Sequence, residues 1–593
     1  MAQMDILFIG SVVNFDGSVG SLANHIKLDG EWTTPHQFIY KKREDLFKNE
    51  ASASVYDVPN LSISKLVDHL ARRIDDFRFH IFWHFEYHRE EIREILENDP
   101  PRLIAISTTL AFVPQFLNDA IQWINAQKRP ETKIVIGGKW ILDQHKLHGS
   151  SRGMERVLRD ANPDFAVINN FGEETLHKLL MALRDGDMAG AQSLDNVAYR
   201  TADAVVPPSE PAPMVELKVL DGDGTVKSNG HDHDHSHEEC EQRRQAYRGK
   251  RYSINPIVTE DLTPGQPMID FQNIGARFLD HVVHVRTCSS CPFKCKFCTF
   301  PVLQGTHILF DLDEVMNQLR QLKELSVKHL FIIDDTFNVP KRRFEELMDR
   351  MIDADLGMEW VSFYRPQYAT DELTRKMYAA GCRMVFCGFE SGNDEILQLM
   401  DKKVSVAQYL QGLHHLHQAE IISLVSYIIG YPGETYKTAM DTLALIDNPL
   451  VDFSRGSLFY YDHNAPVART AEEWQLTGYG AEWSHRTMNH KEAQKIHFEI
   501  VNKTRGIHVP VSDGGAWNLF HLYARGLAWE EIKSHYREFN AIQRRQIVEL
   551  GDEALAEYRA YSKGRLDELR ERMLRQPLRR GQGTRVAAVA PDC

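Results

Sequence analysis

The stretch "HVVHVRTCSSCPFKCKFC", residues 281–298, decides how this chain is read. The apolar run "HVVHV" (281–285) reads as a buried strand. Directly after it come four of the chain's eight cysteines within eleven residues, Cys288 to Cys298. Thiols clustered in this way point to metal binding or catalysis before disulfides. Cys291, Cys295 and Cys298 form C-x3-C-x2-C, a spacing that lets one loop wrap a single iron–sulfur cluster through thiolates, its favoured ligands. Three cysteines leave one of four irons without a protein ligand, and that corner can chelate a small molecule through an amine and a carboxylate. Structural zinc is the competing reading. It wants four ligands, usually in paired modules, and no second cysteine pair or C-x2-C…H-x3–5-H frame follows. Lys294 and Lys296 argue against cysteines that are merely buried, and Cys288 reads as a small residue at a strand end, outside the ligand set.

Downstream, apolar runs recur as "HLFIID" (329–334), "EWVSFY" (359–364), "MVFCGF" (384–389), "SLVSYII" (423–429) and "GSLFYY" (456–461). Helical patterns such as "LDEVMNQLRQLKEL" and "KRRFEELMDRMIDA" fall between them. Six strand–helix units predict a partial (β/α)6 TIM-like barrel over 281–461, with its chemistry at the C-terminal ends of the strands. Upstream, "DILFIG" (5–10), "RLIAIS" (102–107), "KIVIGG" (133–138) and "FAVIN" (165–169) read as buried parallel strands. With helices between them they predict an α/β, doubly wound, flavodoxin- or Rossmann-like domain over 1–200. Residues 201–280 have loop composition and read as a linker. It holds "HDHDHSHEEC" (231–240), an exposed acidic insertion with at most weak affinity for a metal ion. Residues 462–593 read as a mostly helical C-terminal domain, whose Trp483, His485, Trp517, His521 and Tyr523 are expected to cap the barrel mouth.

A length of 593 residues fits two to four domains. The net charge of −14 argues against general nucleic-acid binding, and the basic stretch Arg565–Arg580 reads as a solvated helix face. No apolar run reaches the roughly 18 residues needed to span a bilayer. "MAQMDILFIGSVV" lacks the features of a signal peptide. A cytoplasmic location, with reduced thiols, is expected.

The cysteine spacing, with Phe297 before the last cysteine and a strand before the first, resembles the radical S-adenosylmethionine (SAM) superfamily. "DDTFN" (334–338), "GFESGN" (388–393) and "IIGYPGET" (428–435) match its strand ends in order. The resemblance covers roughly 281–460. It implies a 4Fe–4S cluster on Cys291, Cys295 and Cys298, SAM on the open iron, and reductive cleavage of SAM to a 5′-deoxyadenosyl radical. It implies Phe297 near the adenine, Asp334 and Asp335 facing cofactor or substrate, and Glu390 near the SAM methionine. Gly430 then lines the adenine site, and Arg365 contacts a carboxylate or the ribose. Acidic residues at strand ends are also common helix caps.

The first domain is similar to the cobalamin-binding domain of the B12-dependent group of that superfamily, the class B methyltransferases. "LIAISTTLAFVPQFLNDAIQWI", "KIVIGGKW" and "DFAVINNFGEETLHKLL" carry the likeness. Ser107, Thr108, Thr109, Gly137, Gly138, Gly172 and Glu173 are the implied corrin contacts, because small residues admit a broad plate closely and hydroxyls can bond its amide arms. The alternative is a flavodoxin-like domain with a different ligand or none. The D-x-H-x-x-G motif that supplies a histidine to cobalt is absent after the first strand. "DQHKLHG" (143–149) has the wrong spacing and follows the wrong strand, and "NNFGEE" lacks one customary glycine. "RTCSSCPFKCKFCTFP" and "WSHRTMNHKEA" resemble natural-product methylases, a group with phosphinate P-methyltransferases and tryptophan methylases. The likeness implies methyl transfer from SAM, through methylcobalamin, to an unactivated carbon or phosphinate phosphorus of a small-molecule or peptide substrate. It also implies a flavodoxin- or ferredoxin-type one-electron reductant. A non-methylating B12-dependent rearrangement or cyclisation, and a non-enzymatic iron–sulfur sensor, are the rival readings.

Overall fold

The computed structural model describes residues 3–12, 25–47, 59–109, 114–149, 152–201, 252–258, 268–510 and 516–546. The His/Asp tract at 231–240 and the basic stretch at 565–580 lie outside the described residues.

Two large sheets organise the chain. The first has seven strands: β1 (Ile6–Ser11), β2 (Phe79–His84), β3 (Leu103–Ser107), β4 (Lys133–Gly137), β5 (Phe165–Val167), β6 (Val197–Arg200) and β7 (Tyr252–Ile254), in the order 2-1-3-4-5-6-7. The first five are parallel, and the last two are antiparallel additions. Alternate residues explain why apolar runs were needed. Leu7, Ile9, Ile104, Ile106, Ile134 and Ile136 pack on one face against Leu117, Ile121 and Leu158. Ile6, Phe8, Leu103, Ala105 and Val135 pack on the other against Val67, Leu70, Leu176 and Leu180. A sheet covered on both faces has no solvent side to carry polar residues. The order 2-1-3-4-5 reverses direction between β1 and β3, and in such sheets ligands gather at the carboxyl ends of the strands near that reversal. Part of the expected linker is sheet: Tyr252–Ile254 pairs with Val197–Arg200, and Phe271, Ile274 and Phe278 are buried in the core.

The second sheet holds β8 (Val282–Val285), β9 (His329–Ile332), β10 (Glu359–Tyr364), β11 (Cys382–Glu390), β12 (Ile422–Ile429) and β13 (Phe453–Leu458), all parallel and in sequence order. β13 begins three residues before the expected "GSLFYY". β8 and β13 are not paired with each other, so the barrel is open along one seam among the described residues. Leu330, Ile332, Trp360, Val385 and Val425 face the helices outside. Val282, Phe331, Val361, Met384, Phe386, Leu424 and Phe453 face the interior.

The helix Ala516–Ala524 and the segment that follows it occupy that interior. Leu519, Phe520, Leu522, Leu527, Tyr536 and Phe539 are buried with the inward strand residues. Trp517 meets Phe331 edge-on at 5.3 Å, and Tyr523 lies 6.2 Å from His329, the first residue of β9. Arg525 approaches Asp280, just ahead of β8, at 3.7 Å. Trp517, His521 and Tyr523 therefore fill the barrel from the start of its strands, and the expectation that they cap the mouth is wrong. A helix apolar on all faces belongs in a core, and "AWNLFHLYA" is such a sequence. Trp483 and His485 do sit at the mouth, in a small antiparallel sheet of Thr477–Tyr479, Glu482–His485 and Met488–Asn489. The C-terminal part is thus not helical throughout. No described helix is long and apolar enough to cross a membrane.

Candidate active site

The cysteine loop is tied down before its first ligand position. Cys288–Ser289 pairs antiparallel with Ile308–Leu309. The fully buried Asp334 carboxylate accepts hydrogen bonds from the Thr287 and Cys288 backbone N–H groups, at 2.8 and 3.2 Å, and from the Thr287 hydroxyl. Arg343 donates to the carbonyls of Thr287 and Phe310 at 2.9 and 2.6 Å. Asp334 thus anchors the loop from the end of β9. Cys288 lies in this anchor, where burial and the nearby Asp334 carboxylate push its thiol far up.

The other three cysteines converge. Cys291 Sγ lies 3.4 Å from Thr336 Oγ1. Cys295 Sγ accepts a hydrogen bond from Arg365 Nη2 at 3.4 Å. The Cys298 N–H donates to the Cys295 carbonyl at 3.1 Å. Burial raises the Cys295 thiol, against the opposing pull of Lys402 and Arg365. Burial also pushes Cys298 up to about 11, with the fields of Cys295 and Cys291 adding to the rise. Three thiols on one loop, each acting on the others' charge, form a donor set that fits a multi-iron cluster, since iron supplies the positive charge that converts them to thiolates. Two cations flank the set. The Arg365 guanidinium stacks 3.4 Å from the Phe293 ring centroid and donates from Nη1 to the Lys402 carbonyl at 3.3 Å. Lys402 Nζ pairs with Glu390 Oε1 at 2.7 Å and lies 5.6 Å from the Phe297 ring. Lys402 and Glu390 are both nearly excluded from solvent. Of the residues read from sequence, Cys295, Cys298, Phe297, Arg365 and Glu390 belong to one contact network, and Cys291 meets Thr336 beside it. Arg365 spends its donors on a sulfur and a carbonyl.

Asp335 lies beside the thiol loop: its carbonyl accepts from the Thr336 hydroxyl at 2.7 Å, the group that also meets Cys291. Burial pushes the Asp335 carboxyl up to about 6, against the opposing field of Arg286. At the end of β12, Gly430 has φ +96, and a Cβ there would lie 2.4 Å from Trp483. Its carbonyl meets His485 Nε2 at 3.0 Å, and its N–H donates to Glu434 Oε2. Glu434 is fully buried, its other carboxylate oxygen has no partner, and burial pushes it up to about 8. Trp483 stacks on His485 with ring centroids 5.0 Å apart. Gly388 is needed for a different reason: a Cβ would sit 2.5 Å from Glu390 Oε1 and 3.1 Å from Lys402 Nζ. Sequence reasoning missed Thr336, Lys402 and Glu434. Thr336 and Glu434 lay inside quoted motifs, whereas no spacing rule signals Lys402.

The candidate corrin contacts gather at the carboxyl ends of β3, β4 and β5. Ser107 Oγ and Thr109 Oγ1 are 3.2 Å apart, and Asn60 Nδ2 reaches Ser107 Oγ at 3.5 Å. Thr108 is buried, its hydroxyl donating to the Gly137 carbonyl at 3.0 Å and accepting from the Ile141 N–H at 3.4 Å. Gly138 has φ +116, and a Cβ would press on Thr109 Oγ1 at 2.9 Å. Gly172 precedes the helix Glu173–Arg184, and Glu173 pairs with Lys65 at 2.7 Å. The buried Nδ2 of Asn169, just past β5, has no partner. Bare glycine backbone, adjacent hydroxyls and an unused amide donor fit a ligand rimmed by amides.

The family model of the radical SAM superfamily matches residues 285–446. The barrel is therefore a radical SAM domain. An uncharacterized methyltransferase of Pyrococcus horikoshii is 26% identical over 202 residues, covering 34% of this chain and 42% of its own. Bacteriochlorophyllide d C-12(1)-methyltransferase of Chlorobaculum tepidum is 26% identical over 225 residues, covering 36% of this chain and 48% of its own. The chain thus spans less than half the length of these curated relatives. Among solved structures, the radical SAM methyltransferase TsrM from Kitasatospora setae, with cobalamin and a 4Fe–4S cluster bound, aligns over 80% of this chain and 78% of its own. The sequence identity is 15% and the TM-score 0.48.

Proposed function

We propose that the chain is a cobalamin-dependent radical SAM methyltransferase. It would move a methyl group from SAM, by way of cobalamin, to an unactivated carbon or a phosphinate phosphorus of a small-molecule or peptide natural-product precursor. The observation that carries this reading is the convergence of Cys291, Cys295 and Cys298 at the C-terminal mouth of the barrel, ringed by Arg365, Lys402 and Glu390. The methyltransferase names of the two relatives support the reaction class. The glycine- and hydroxyl-rimmed end of the first sheet supports the corrin.

When bound, the cluster, SAM and corrin supply one-electron cleavage and a methyl carrier; the chain's own residues do the rest. The three cysteines hold iron. Arg365 places a donor on one sulfur and so tunes its charge. The Lys402–Glu390 pair fixes the end of β11 beside Phe297. Trp483, His485 and the protonated Glu434 pack the Gly430 turn and exclude water from that side. Cytoplasmic location, a flavodoxin- or ferredoxin-type reductant and the lack of a nucleic-acid partner complete the proposal.

Anaerobic reconstitution of the full chain with iron, sulfide, cobalamin and SAM tests it. The expected result is a corrin optical spectrum that stays with the protein and deoxyadenosine on reduction. A candidate acceptor should gain the mass of one methylene. Deoxyadenosine with a product of unchanged mass would replace methyl transfer with rearrangement or cyclisation. A loaded chain that never cleaves SAM would make it an iron–sulfur sensor.

A further inference from the structure

Two histidines and a glutamate meet between the helices that cover one face of the first sheet, apart from the thiol loop. His69 lies on Leu61–Ala71, and Glu174 and His177 lie on Glu173–Arg184. The two helices pack through Val67, Leu70, Leu176 and Leu180. Glu174 and His177, three apart, share a helix face. Glu174 Oε2 is 3.4 Å from His69 Nε2 and 3.9 Å from His177 Nδ1. The three donor atoms all lie within 4.8 Å of one another. Both ring nitrogens are buried atoms with no hydrogen-bond partner. Lys178 and Arg73 form long ion pairs with the same carboxylate, at 3.7 and 3.9 Å, and a metal ion there would compete with them, whereas Lys65 pairs with Glu173.

We propose that His69, Glu174 and His177 form a binding site for a divalent transition metal of the zinc class, clamping the two helices together. The donor set is two imidazoles and a carboxylate, with a fourth position left to water, a set that suits tetrahedral zinc. Donors about 2.0–2.2 Å from such an ion stand roughly 3.3 Å from each other, so the trio closes on it by small side-chain movements. A Glu-x-x-His pair on one helix facing a donor from another is how helix bundles hold metal. The clamp would fix the start of Glu173–Arg184, and with it Gly172 and Glu173. The site stands on its own residues and does not depend on the corrin reading.

The test uses the full chain, loaded anaerobically with its cluster so that the cysteines are engaged. His231→Ala, His233→Ala, His235→Ala and His237→Ala remove the competing tract. Zinc is titrated against a chromophoric chelator, and cobalt(II) spectra report the donor set. The parent is expected to bind one zinc tightly and to unfold at a higher temperature when it is bound. His69→Gln and His177→Ala, on opposite helices, each should weaken that zinc roughly tenfold or more and abolish the thermal gain. Failure of the parent to retain zinc overturns the proposal. So does a folded variant of either histidine that binds zinc as tightly as the parent.

Discussion

The interior of the barrel and its mouth are built on different principles. Within the barrel, Phe331, Phe363 and Phe386 close on one another at 5.4–5.7 Å, and Phe331 and Phe363 meet Trp517. Ordinary close packing accounts for the interior. At the strand ends, Glu390 sits at φ +67 and Ser290 at φ +63. A lysine and a glutamate are buried as a pair, and a glutamate is kept protonated by its surroundings. Each of these costs stability taken alone, about 1–3 kcal/mol for a residue held in sparsely populated backbone space. Positive-φ residues also occur in the turns that lead into the strands, at Ser326, Asp355 and Glu420, so backbone conformation does not set the mouth apart; the buried Lys402–Glu390 pair and Glu434 do.

The largest expected effect is confined to the mouth. Cys295→Ala should lose the cluster iron and with it deoxyadenosine formation, while circular dichroism shows the barrel intact. Iron and sulfide assays check it, and unaltered metal content would remove the basis of the functional proposal. Next come two changes of similar cost and different kind. Lys402→Met strands Glu390 in the interior and is expected to cost ~3–5 kcal/mol in chemical denaturation. Adding Glu390→Gln should return much of it, because both partners are then gone. Phe331→Ala in the barrel interior is expected to cost ~3–5 kcal/mol by leaving a cavity, and no second polar substitution will rescue it. Equal rescue at the two places would erase the distinction.

A subtler break uses pH. The folded Glu434 holds its proton up to about 8, against an ordinary value of 4.5. Between those values the folded state binds a proton that the unfolded state releases. Its contribution is therefore full at the acid end and is lost as the pH rises through about 8. Glu434→Gln should flatten that part of the stability–pH curve, measured by denaturant midpoints. The smallest effect belongs to Arg365→Gln. It removes an N–H···S bond and a positive charge beside Cys295, so the loaded cluster should become harder to reduce. Redox titration followed by electron paramagnetic resonance reads this without any turnover.

Legibility divides along the same line. The strands built from continuous apolar runs were readable because both faces of each sheet are covered. β2, "FHIFWH", was not, since His80 and His84 break the apolar run although the strand pairs in register with β1. β7 escaped because it returns to its sheet from within a segment of loop composition. The three cysteines and Phe297 were legible because one loop supplies them all. Lys402 was not, because its partner Glu390 lies on a different element and only folding brings the two charges together. Trp517, His521 and Tyr523 were read as mouth residues because aromatic content says that a helix is buried but not at which end.

The helix Ala516–Ala524 has a consequence for traffic. With the barrel stoppered at the strand starts, molecules that react beside the cysteines come and go by way of the strand ends or the unpaired seam. A stopper far along the chain from the cysteines thus decides from which side they can be approached.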